Sequence, residues 1–365
     1  MANYTQQERL ILWIDSFTFL DTSKKRKLFD LLSNVKEINA TIVNNKQQLL
    51  TFLTKSQIEE ISKKANNQYF SQVISSLEKL DIVAITFLSK RQIESNIPES
   101  EKPFVYYLKG NIRAIEDKKF TIVGSRKSLP ISVALAKDFA TKLSNSGLTI
   151  VCGCADGIEK SVIEKVVELG NSVITVIPCG IDVALSGAKG VLLNRVANKG
   201  LIISEKPLGE TAKDFYYPLR NRLLAGLSEG VLVVNGNYKS GVKYTIEHAK
   251  RYGVKLYAIP YNIGVESGEI TNSLIKEGGT LVDTPQDIIK NHGCKKTENK
   301  SLNLTEEEQA ILEIVKESPT HAEIIAQRLG KQSYEIAPTL SMLEIKGVIG
   351  RVGVNVYGAT RKTEE

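Results

Sequence analysis

The first hundred residues of this 365-residue chain contain no glycine. A helical hairpin that grips a nucleic-acid backbone needs a glycine turn to bring N–H groups up to phosphate. This region is therefore expected to serve structure or protein contact. Cysteine is scarce: Cys152, Cys154, Cys179 and Cys294 are all there are. Cys152-x-Cys154 is not a zinc spacing, and no Cys or His pair completes a site, so no metal is expected. Three of the thiols lie near the ends of apolar runs, where cysteine behaves as a small hydrophobe in a reducing cytoplasm. His248, His292 and His321 are scattered and form no triad pattern. No apolar stretch reaches the ~20 residues that span a bilayer. The segment Met1–Arg9 lacks a signal-peptide layout. A cytoplasmic protein with no membrane segment is expected.

The charge that is present is unevenly spread. The whole chain carries a formal +7: residues 1–100 carry +2, residues 301–365 carry −3, and the middle carries +8. The basic excess lies in the segment rich in glycine turns, where a polyanion groove would need it.

Four apolar runs there end in polar, glycine-bearing loops. Phe120–Val123 leads into Gly124-Ser125-Arg126-Lys127. Leu148–Val151 leads into Cys152-Gly153-Cys154-Ala155-Asp156-Gly157. Ser172–Ile177 leads into Pro178-Cys179-Gly180-Ile181-Asp182, and Gly230–Val234 into Asn235-Gly236-Asn237-Tyr238-Lys239-Ser240-Gly241. Such runs read as buried parallel strands. A helix from about Ile131 to Ser146 follows the first. In an open parallel sheet, carboxyl-end loops line one edge, and that edge binds ligands. The segment Tyr217-Pro218-Leu219-Arg220-Asn221-Arg222 adds cations ahead of Leu223, Leu224 and Leu227. Pro218 is expected to start that helix, placing Arg220 and Asn221 on its first turn, where free N–H groups favour an anion. Arg126, Arg220, Arg222 and Lys239 would then charge a long groove.

In this order, GSR, CGCADGIE, PCGID, SEK, YYPLRNRLLAGLS, YKSG and AIP, the chain resembles the DNA-processing protein A family (DprA, also called Smf) over nearly its whole length. The resemblance implies a Rossmann-like core that binds single-stranded DNA with little sequence preference. It further implies help in loading a RecA-type recombinase during natural transformation, and homodimers formed through the core. It implies no enzyme activity, catalytic residue or cofactor. Carried over by motif, the DNA-contacting positions are Ser125 and Arg126, the turns at Gly153 and Gly157, and Tyr217 with Arg220. Ser240-Gly241 matches the family's SGS-type turn. Gly124, Lys127, Gly180, Asn221, Arg222 and Lys239 complete the candidate site. The chain departs from the family pattern in having Cys152, Cys154 and Glu159 where Ser, Leu and Asp are usual, and Tyr217 where Phe is usual.

The expected architecture is an α/β, mostly parallel Rossmann-like core at 103–292. An N-terminal helical, SAM-like domain spans 1–102, a linker 293–303, and a winged helix 304–360. The winged helix is read from a capping box at Thr305–Glu308, helices at His321–Leu329 and Ile336–Lys346, and a hairpin from Gly347 to Tyr357. No Arg, Lys, Asn or Gln lies between Ser333 and Leu343, so this wing is expected to be an accessory or protein-contact module. Lys24–Lys27 reads as a solvated helix face. A second function class stays open: a nucleotide-binding or nucleotide-hydrolysing Rossmann-like protein. Related phosphoribohydrolases carry a Pro-Gly-Gly-x-Gly-Thr loop that is missing here. Glu159, Glu205 and Glu247, the carboxylates near the groove in sequence, have no evident base or metal partner. A third reading keeps DNA binding but moves the role to mobile-element defence.

Overall fold

Apolar runs too short to be helices fix the frame. The computed structural model describes residues 4–35, 37–292, 304–345 and 348–359, divided into two units, Met1–Lys296 and Thr297–Glu365. Among the described residues the first unit holds nine strands: β1 (Val83–Thr86), β2 (Val105–Gly110), β3 (Lys119–Val123), β4 (Thr149–Cys152), β5 (Val173–Ile177), β6 (Leu201–Ser204), β7 (Gly230–Val233), β8 (Lys255–Ala258) and β9 (Thr280–Leu281). They form one sheet in the order β1-β2-β6-β5-β4-β3-β7-β8-β9. β1, β2 and β6 pair antiparallel, and the run from β6 to β9 is parallel throughout. Every residue of β3 to β7 is buried, as expected of a parallel sheet covered on both faces.

Helices α1–α6 precede the sheet (Gln6–Asp15, Thr22–Leu32, Ile38–Asn44, Lys46–Leu49, Lys55–Lys63, Asn67–Lys79). Then come α7 (Pro130–Asn145), α8 (Ile158–Glu168), α9 (Ile181–Ser186), α10 (Gly190–Lys199), α11 (Tyr216–Gly226), α12 (Val242–Arg251), α13 (Glu269–Lys276) and α14 (Gln286–Asn291). Pro130 opens α7 at a position where its missing N–H costs nothing. Strand side chains alternate between faces. Phe120 and Ile122 join Phe139, Val162 and Val166 of α7 and α8 in one core. Val123, Val231 and Val233 join Leu223, Leu224 and Ile246 of α11 and α12 in the other.

The N-terminal region is helical through Lys79, and its last segment becomes β1, an edge strand. Trp13, Leu28 and Ile58 share a core with Phe104 and Tyr107 of the sheet region. The packing therefore has no break at residue 102. The basic run on α2 divides. Lys25 is buried, and its Nζ donates to Asp15 Oδ1 at 2.8 Å, while the Tyr107 hydroxyl donates to Asp15 Oδ2 at 2.7 Å. Arg26 lies 5.4 Å from the Phe87 ring centroid. Lys25 and Arg26 thus correct the solvated-face reading: both are drawn in by partners distant in sequence.

The second unit contains α15 (Glu306–Glu317), β10 (Thr320–His321), α16 (Ala322–Arg328), α17 (Ser333–Ile345), β11 (Ile349–Gly353) and β12 (Val356–Ala359), with sheet order β10-β12-β11. Thr305 and Glu308 form the expected capping box. Ile311, Ile325, Leu340 and Tyr357 share its core. This is the three-helix-plus-hairpin arrangement expected of a winged helix. Lys346, Gly347, Cys294, residue 360 and the proposed linker 293–303 lie outside the described residues.

Candidate nucleic-acid interface

The sheet reverses its strand order between β3 and β7. The chain leaves β3 for β4, β5 and β6 on one side, then returns through α11 to start β7 on the other. Loops leaving the carboxyl ends of β3 and β7 consequently diverge and open a crevice, the usual ligand position in such sheets. A cleft of about 1080 Å³ occupies that place. The β3 loop (124–129) and the β7 loop (237–241) line it, with Tyr217 and Asn221 of α11, the start of α12, and Val265–Ser267 beyond β8.

One buried side chain ties the two loops together. Asn235 Oδ1 accepts from the Ser125 N–H at 2.9 Å, and its Nδ2 donates to Ser128 Oγ at 3.1 Å. The Ser128 hydroxyl donates to the Ser125 carbonyl at 2.8 Å. Gly157 (φ +81°) supports the same turn from below: a Cβ there would run into the Ser125 and Arg126 carbonyls. The turn exposes Arg126 and Lys127. The Arg126 guanidinium sits 5.3 Å from the Tyr217 ring centroid, within cation–π range. Lys239 stands exposed on the β7 loop. Among the described residues, Arg126, Lys127 and Lys239 form no ion pair. Asn221 Nδ2 donates to the Gly241 carbonyl at 3.2 Å and joins α11 to the β7 loop.

The structure corrects the role expected of Arg220. Helix α11 begins at Tyr216, two residues before Pro218, so Arg220 stands on the second turn. The first-turn N–H groups of Tyr216 and Tyr217 already donate to the Lys213 and Asp214 carbonyls, at 2.8 and 3.3 Å. Arg220 is only 3% exposed. Its guanidinium donates to the Gly153 and Val176 carbonyls, and its Nε to Asn221 Oδ1 at 3.2 Å. Burial pulls its pKa down, and the nearby Glu159 charge opposes that shift. Gly153 leaves room for the guanidinium, because a Cβ there would lie in its space. Arg220 is thus a bolt on the floor of the cleft, fastening α11 to the ends of β4 and β5.

Arg222 is also corrected. Two residues on from Arg220, it points to the other side of the helix and pairs with Glu205 at 2.5 Å. Gly153, Gly157 and Gly180 do not line the cleft. Gly180 donates its N–H to the Glu210 carbonyl at 2.8 Å, in a turn with no room for a Cβ. Gly124, Ser125, Ser240 and Gly241 do line it. Of the three carboxylates flagged in the sequence, only Glu159 reaches the cleft wall, and it accepts the Ala155 N–H at 2.9 Å. Cys152, Cys154 and Cys179 are buried and unbridged. Burial raises their pKa values, that of Cys179 to about 11. The sequence reading missed Asn235 as the staple. Its signal was a polar residue directly after a buried strand. It also missed the wall at Val265–Ser267, which carries no motif.

Fold and site define a class: a Rossmann-type α/β protein with a cation-lined cleft at the strand-order switch, followed by a winged helix. The family model for DNA recombination-mediator protein A matches residues 89–293, and that for the DprA winged helix domain matches residues 295–353. The chain belongs to the DNA recombination-mediator protein A family. It is 34% identical over 191 residues to the DNA processing protein DprA of Streptococcus pneumoniae, covering 52% of this chain and 67% of that one. The X-ray structure of the pneumococcal DprA is similar with a TM-score of 0.54 at 26% identity, over 74% of this chain and 98% of that chain. DNA processing protein A from Helicobacter pylori, whose single-stranded DNA binding mode has been described, shares the fold with a TM-score of 0.52 at 23% identity, over 58% of this chain and 96% of that chain. Among the described residues, no helix is long and apolar enough to cross a membrane.

Proposed function

We propose that this protein binds single-stranded DNA in the cleft at the β3–β7 switch and assists a RecA-type recombinase in recombination or natural transformation. The observation that carries the reading is the convergence of Arg126, Lys127 and Lys239, none ion-paired among the described residues, on one cleft from two loops. Phosphates meet these cations. Tyr217, backed by Arg126, offers a face on which a base stacks. Family membership and the DNA-processing role of the named relatives support the same reading. The protein acts by binding rather than by catalysis, in the cytoplasm, as a homodimer through the core, with no cofactor. Titration of a fluorescent dT oligomer against competing mononucleotides tests this. The reading expects the oligomer to bind and mononucleotides to compete poorly. Tight mononucleotide binding with none to the oligomer would favour a nucleotide-binding protein instead.

A further inference from the structure

Not all of the cleft is basic. Along the sheet edge, the β3 loop with Arg126 comes first, then the β7 loop, then the segment after β8. That last wall presents Glu266 and Ser267. Glu266 Oε1 accepts from Asn237 Nδ2 at 2.7 Å, and Asn237 Oδ1 accepts the Lys239 N–H at 3.1 Å. The amide is thereby oriented with its NH₂ toward the carboxylate. Glu266 Oε2 has no partner among the described residues, and Glu266 forms no ion pair there.

A phosphate is repelled by this carboxylate, so the backbone stays with the cations of the β3 and β7 loops, Arg126, Lys127 and Lys239. Arg126 and Lys127 lie two strand spacings from the β8 end, roughly 10 Å, and the ligand's other edge faces Glu266. A carboxylate only accepts hydrogen bonds. Guanine alone among the DNA bases presents two adjacent donors, N1–H and N2–H, on its Watson–Crick edge. Adenine and cytosine set one donor beside an acceptor, and thymine sets one donor between two acceptors.

We propose that Glu266, held by Asn237, forms a guanine-preferring base subsite at the β8 end of the cleft. The inference rests on the single-strand reading above and departs from it in giving one position of the strand a base preference. Charge-assisted bonds of this kind discriminate well against the wrong base. The test is an anisotropy titration of the full chain with a short dT oligomer and with the same oligomer carrying one central guanine. The guanine oligomer is expected to bind about fivefold or more tighter. Hypoxanthine in place of that guanine keeps N1–H, loses the amino group and should remove most of the gain. Glu266→Ala should erase the difference between the oligomers. Wild-type affinities within twofold of each other would overturn the subsite while leaving single-strand binding intact. A guanine preference that survives unchanged in Glu266→Ala would do the same. Binding of no oligomer at all would overturn the single-strand reading, and the subsite with it.

Discussion

Two arginines that look alike in sequence do different work, and substitution separates them. Arg126 is exposed and forms no ion pair among the described residues, so Arg126→Ala is expected to weaken single-strand binding tenfold or more. Unfolding free energy should stay within about 0.5 kcal/mol of wild type. Lysine there restores binding only partly, because it lacks the planar fork. Tyr217→Ala weakens binding without changing its salt dependence, since stacking releases few counterions. Arg220→Ala instead leaves the Gly153 and Val176 carbonyls unpaired, at about 1–3 kcal/mol for each buried group. Urea denaturation should show that loss directly. An Arg220→Ala protein as stable as wild type would return Arg220 to the list of free DNA ligands. The thiols give a third residue-level outcome. With the Cys179 pKa raised to about 11, the thiolate fraction at pH 8 is about one in a thousand. Cys152 and Cys154 are shifted the same way. Peptide mapping after alkylation at pH 8 should find all three unmodified in the folded protein and modified in urea.

At the scale of elements, much of the core was legible. β3, β4, β5 and β7 are short, fully buried and mostly apolar runs, and α7 carries a proline start and a helical stripe. β8 and β9 were not read. β8 opens on an exposed lysine and buries only Tyr257 and Ala258, and β9 has two residues, both exposed, so neither presents a continuous buried run. The burial of Arg220 could not be read from its neighbours, because it depends on the space left by Gly153, 67 residues away. The pairing of the β3 and β7 loops likewise depends on Asn235 reaching Ser125 and Ser128. Asn235→Ala should leave the Ser125 N–H unpaired and let the turn spread. The expected outcome is a several-fold loss of single-strand affinity together with a lower midpoint of thermal unfolding. Unchanged affinity would mean that the turn holds its shape without the staple.

At the scale of the molecule, the α1–α6 region and the sheet share one core, whereas Thr297–Glu365 forms a unit of its own. A fragment beginning at residue 103 would expose that shared core and is expected to lose cooperative unfolding. A fragment ending at Lys296 should fold and bind single strands within a few-fold of the full chain. The winged unit is net acidic across 301–365, which argues against a large phosphate-binding share. The central claim is that three cations on two loops hold the strand, and the salt dependence of affinity tests it most directly. With about −0.7 per phosphate contact on single strands, the slope of log K against log salt should be roughly −2 for the wild type. For the Arg126→Ala/Lys239→Ala variant it should fall to roughly −0.7. A flat wild-type slope, or a variant slope equal to the wild type's, would contradict the account.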